Sequence, residues 1–163
     1  MENAIYPLLQ ENKTVDEISL KPTARYYKVD SISVSIDESR SYTVYNRKVA
    51  KINTDITFNR YVVIPVITKQ LNSSIRYWVG MKFYKHINEK SSSETELDPS
   101  MKLFADECQG KIEDFNSNEI DHFEIVQPSR DKKYFLKAIE TVANNFQYQD
   151  EVILLPQTGS YTI

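Results

Sequence analysis

Ile75-Arg76-Tyr77-Trp78-Val79-Gly80-Met81-Lys82-Phe83-Tyr84-Lys85-His86-Ile87 is the stretch on which the reading of the fold turns. Ile75, Tyr77, Val79, Met81, Phe83 and Ile87 fall on one side of an extended chain, and Arg76, Trp78, Gly80, Lys82, Tyr84 and His86 on the other. Successive side chains of a strand point to opposite faces, so this period of two predicts a strand. One face is apolar. The other interleaves aromatic and basic groups.

Upstream, the pattern continues as strand material. Ile56 to Ile64 begins by alternating and becomes apolar on both faces, as expected for a strand covered on both sides. Pro65 has no ladder donor and marks a bulge or the start of an edge stretch. Tyr42 to Tyr45 follows the polar turn Asp37–Ser41, and Asn46 to Asp55 carries no clear period. Tyr26 to Ile36 is rich in β-branched and aromatic residues, but its apolar parity shifts between Val29 and Ile32, predicting a bulge or two short strands. The whole span from Tyr26 to Ile87 reads most simply as an antiparallel meander of three to four strands.

Downstream, residues 88–97 hold three consecutive serines and read as a flexible loop. Asp98-Pro99 is an N-cap followed by proline at the first helical position. Met101, Phe104, Cys108, Ile112 and Phe115 then recur at helical spacing, with Gly110 as a weak point. Asp121 to Gln127 predicts a brief strand. Pro128-Ser129 opens a second helix with a stripe of Phe135, Ile139, Val142 and Phe146, and Glu151 to Leu155 a last strand stopped by Pro156. The expected fold is α+β: a meander followed by α-β-α-β, with helices packed on one face of a mixed sheet and a closing parallel βαβ unit. We expect a single domain over 1–163, with a β-rich part at 23–87 and an α/β part at 98–156.

Composition sets the outer bounds. The 163 residues are 40% hydrophobic and include eleven tyrosines, enough to close a core without a disulfide or metal. Cys108 is the only cysteine, so no internal disulfide forms. The opening residues lack the basic and apolar regions of an export signal, and no apolar run approaches a membrane span, so a cytoplasmic location is expected. The net charge of −3 is divided unevenly: residues 40–90 carry ten Lys/Arg against Asp55 and Glu89 alone. Either the two parts neutralise each other across the fold, or segment 40–90 meets an anionic partner.

Chemistry is scarce. Phosphate-cradling glycine loops, HExxH, CxxC and GxSxG patterns are all missing, so neither a cofactor nor a metal is expected. His122 and Glu124 alternate on one short strand and would need Asp106 or Glu107 beside them to hold a divalent cation. Cys108 lies on an apolar helix stripe and reads as a buried small hydrophobe.

The leading candidate surface is the mixed face of the 75–87 strand: Arg76, Trp78, Lys82, Tyr84 and His86. Tyr42 and Tyr45, near the expected hairpin, form a second candidate as an exposed edge able to accept a partner strand. A core, many aromatics and divided charge without a catalytic constellation describe a non-catalytic protein-binding or assembly module. The partner would be another protein or a second copy. Aromatics interleaved with cations also fit single-stranded nucleic acid, and a carboxylate-based metal enzyme is the third reading.

Overall fold

The computed structural model describes residues 9–12, 14–18, 24–68, 75–90, 97–116, 119–140 and 150–157. Among the described residues seven strands form one mixed sheet: β1 (Leu9–Asn12), β2 (Tyr26–Val29), β3 (Arg40–Val49), β4 (Asn53–Pro65), β5 (Ile75–Lys90), β6 (His122–Ile125) and β7 (Asp150–Gln157). Their spatial order is β1-β2-β6-β7-β5-β4-β3. Two helices complete the α+β fold, α1 (Leu97–Glu113) and α2 (Arg130–Glu140). Among the described residues no helix is long and apolar enough to cross a membrane.

β3, β4 and β5 are antiparallel neighbours; β4 pairs with β5 along its full length and with β3 over Thr54–Val63. The segment 46–55, which has no clear period, is the end of β3, a short turn at 50–52 and the start of β4; Ala50 N donates to Asn53 O across that turn at 2.8 Å. β2 is not part of this meander. It lies at the far side of the sheet, between a parallel β1 and an antiparallel β6. The parity shift after Val29 marks where the chain leaves β2 to cross the sheet. Val29, Ile32, Val34 and Ile36 pack on the core as it crosses, and Val34 makes an isolated bridge to Val66.

The closing parallel unit also differs from expectation. β7 is antiparallel to β6 and parallel to β5, inserted between them, so β6-α2-β7 is not a parallel crossover. Pro156 stands inside β7, opposite Phe123, and does not end the strand. The serine-rich loop is shorter than expected, because β5 runs to Lys90 and α1 begins at Leu97; its residues 91–96 lie outside the described residues. Val142 and Phe146 of the expected helix stripe also lie outside them.

The helices sit on opposite faces of the sheet, not on one. Ile56, Phe58, Val62 and Ile64 of β4 share a face, and α1 packs there through Phe104, Cys108 and Ile112. Phe58 and Phe104 approach to 5.8 Å between ring centroids. Tyr61 and Val63, of the other parity, share the opposite face with Trp78 and Ile153, and α2 covers them through Phe135, Ala138 and Ile139. Tyr61 and Phe135 meet edge to face at 5.1 Å. The doubly apolar run of β4 therefore has a cause: a sheet strand roofed on both sides needs apolar groups at both parities.

Gly80 permits the close seat of α2. A Cβ there would lie 2.7 Å from Ile153 Cγ2 and 3.1 Å from Phe135 Cε1. The gap that glycine leaves in the strand's side-chain row is thus filled by Phe135. Ser129 caps the same helix, its Oγ accepting from Lys132 N at 3.2 Å. Near the N-terminus, Thr14 precedes a 3₁₀ turn at Val15–Glu17 and makes no side-chain cap.

Candidate functional site

α2 covers only one half of its face. β7 pairs with Ile75–Val79 of β5, so among the described residues Gly80–Lys90 pair with β4 alone. β3, β4 and this part of β5 form a three-stranded arm; α1 packs on β4 and β5 on one face, and the other face is open beyond α2.

The arm divides the mixed face of the 75–87 strand into two environments. At the covered end Trp78 is 3% exposed. Its indole N–H donates to Glu151, whose other oxygen pairs with the Arg76 guanidinium. Arg40 lies 5.6 Å from the Trp78 ring centroid and also donates to Ile139 O at 3.0 Å, tying β3 to α2. Burial pushes the Glu151 carboxyl above its usual range, and the hydrogen bonds from Trp78 and Arg76 draw it part of the way back. Trp78 is consequently a packed core residue held by a buried polar contact.

At the open end Tyr84 is 63% exposed. Lys82 sits between the two environments, 5.5 Å from the Tyr61 ring centroid and 3.3 Å from Asp131 Oδ1. Tyr61 donates to the same Asp131 oxygen at 2.8 Å; burial first, and that carboxylate second, drive the Tyr61 phenol far above its usual range. His86 Nε2 lies 3.2 Å from Asp55 Oδ1, which also accepts from Asn88 Nδ2 at 2.8 Å. Together Asn46, Lys48, Asp55, Thr57, Tyr84 and His86 line a shallow depression of about 260 Å³ on the open face. Arg76, Trp78, Lys82, Tyr84 and His86 share one side of β5, but they form no continuous exposed platform.

Sequence reading misses Asn46, Asp55 and Thr57. Lys48 joins the open face, whereas Arg60, of the other parity, points to the α1 face and donates to Thr43 Oγ1 at 3.0 Å. The signal that finds these residues is polar alternation: Asn46 and Lys48 on β3 stand opposite Thr57 and Asp55 on β4.

The second candidate surface is the outer side of β3. Along the whole of Arg40–Val49 this strand is paired to β4 on one side and, among the described residues, to nothing on the other. Tyr42 and Tyr45 both belong to it and point to opposite faces. Tyr42 stacks on Tyr134 of α2 at 5.9 Å and is half-buried. Tyr45 is 50% exposed, and beyond it Val49 and Ile52 are 72% and 74% exposed. The edge is therefore anchored at its start by α2 and presents apolar surface toward the hairpin tip.

The remaining candidates are dispersed. His122 is buried, stacks edge to face on Tyr26 at 4.8 Å and contacts Asp121 Oδ2 at 2.9 Å. Asp106 and Glu107 are exposed on α1. Among the described residues no three His, Cys, Asp or Glu side chains gather to hold a metal. Cys108 is buried beside Phe104, and burial raises its thiol above the usual range. No protein-family model matches this chain, and no match was found among curated proteins or solved structures.

Proposed function

We propose that this chain is a non-catalytic protein-binding module that receives an extended segment of its partner along β3. The observation that carries the reading is the position of β3: ten residues long, at the end of the sheet order and, among the described residues, with ladder partners on one side only. An unpaired edge of that length offers a row of backbone donors and acceptors to an added strand, and main-chain bonds supply the affinity in such complexes. Exposed Tyr45 and Val49 provide apolar contact beside that row.

Two observations favour a protein partner over single-stranded nucleic acid. Trp78, the strongest stacking group of the sequence, lies beneath α2. Lys82 and His86 each have a carboxylate within ion-pair distance, Asp131 and Asp55.

A selection of random ten-residue peptides on the full chain tests the proposal, with hydrogen exchange used to map where selected peptides sit. Enrichment of peptides that protect the amides of residues 40–49 is the expected result. Failure to enrich any peptide, or protection confined to other strands, overturns it.

A further inference from the structure

β3 and the turn after it carry Arg40, Arg47, Lys48 and Lys51 with no acidic residue. Arg40 is committed to α2 through Ile139 O and to Trp78. Arg47 and Lys48 are different. Among the described residues neither has a carboxylate within ion-pair distance, although Asp55 stands directly opposite Lys48 on β4, because Asp55 is turned to His86 and Asn88. The Arg47 Nε is buried and, among the described residues, has no hydrogen-bond partner.

Arg47 and Lys48 are consecutive in a strand, so they point to opposite faces of the sheet. Arg47 lies on the α1 face, opposite Ile56, and Lys48 on the open face, opposite Asp55. A strand laid against β3 alternates in the same way, and side chains directly across from each other stand about 4.5–5.5 Å apart at Cβ. Two consecutive acidic residues of the added strand therefore meet both cations at once, one on each face. One residue beyond Lys48, the row reaches exposed Val49 on the same face as Arg47 and Tyr45.

We infer that the partner segment is acidic and extended, carrying two adjacent carboxylates in register with Arg47 and Lys48, and apolar residues opposite Tyr45 and Val49. This rests on the edge-strand reading above and adds the chemistry of the partner. Of the cations in segment 40–90, Arg47 and Lys48 then serve recognition, selecting an anionic strand.

The test uses three synthetic peptides of alternating valine and threonine whose two central residues are glutamate, glutamine or lysine. Each is titrated into the full chain, with hydrogen exchange locating the contact. The expected result is about tenfold tighter binding of the glutamate peptide than of the glutamine peptide at low salt, shrinking as salt screens the pairs. Protection falls on residues 40–49. In K48E, and separately in R47E, the preference moves toward the lysine peptide, with thermal unfolding confirming that each variant is folded.

Equal binding of the glutamate and glutamine peptides, still protecting β3, overturns the acidic partner and leaves the edge reading intact. No peptide protecting β3 overturns both. A single-stranded oligonucleotide that displaces the glutamate peptide from β3 and binds more tightly overturns the acidic partner in favour of a nucleic-acid ligand.

Discussion

The Trp78 indole and the Glu151 carboxylate face each other across neighbouring parallel strands, and the Arg76 guanidinium closes the same carboxylate from β5. Because burial raises the Glu151 carboxyl above its unfolded value, the folded state holds a proton there over a range where the unfolded chain has lost it. Its contribution to stability is full below the ordinary carboxylate range and declines as pH rises through the raised value. E151Q keeps the shape and removes this titration. The stability of the native protein relative to E151Q should therefore fall from acid to neutral pH, read by urea unfolding of both proteins; a relative rise over that interval contradicts the assignment.

Trp78 itself should emit in the blue in the native protein and move to the red on unfolding, since it is 3% exposed. Short single-stranded DNA should leave the emission unchanged. Salt-sensitive quenching by DNA would mean that α2 does not hold its seat over Trp78.

The two described glycines flanked by well-formed structure should respond in opposite ways. G80A places a methyl group against Ile153 and Phe135 and should destabilise the protein by about 1–3 kcal/mol, as other overpacked cores do. G110A meets nothing within 4 Å on an exposed helix position and should stabilise by about 1 kcal/mol. Denaturant midpoints of the two variants decide both.

Cys108 should resist thiol reagents while the protein is folded. It is 1% exposed, and burial disfavours the reactive thiolate. Labelling by a chromogenic disulfide should track unfolding in urea. Stoichiometric reaction in buffer alone would show that α1 opens over the sheet.

How far the sequence reveals this arrangement depends on the range of the force involved. Alternation along Ile75–Ile87 is local, and it reports the strand and its two sides faithfully. The doubly apolar stretch of β4 reports that both sides are covered. What alternation cannot report is which strand lies next to which. The parity shift after Val29 is visible, yet nothing near it says that the chain then crosses the sheet to place β3 at the opposite end from β2. Nor does the stripe of α2 say which side it roofs, which is why Trp78 and Tyr84, six residues apart on one side of one strand, have opposite fates. β3 is the least legible element, because an edge strand has a weakly imposed pattern, and its polar half is set by pairing with Thr57 and Asp55.

The place of β7 has a consequence for how the chain is made. It is synthesised after the six other strands, yet it fills the gap between β6 and β5 that joins the two halves of the sheet. On the ribosome, β3, β4 and β5 emerge early as a free meander whose inner margin has no neighbour. At about 5–20 residues per second, that margin waits on the order of seconds for Val152 and Leu154 to arrive. During that interval the Ile75–Val79 margin of β5 has no ladder neighbour on that side, an unpaired edge at which a chaperone or a neighbouring nascent chain competes with β7.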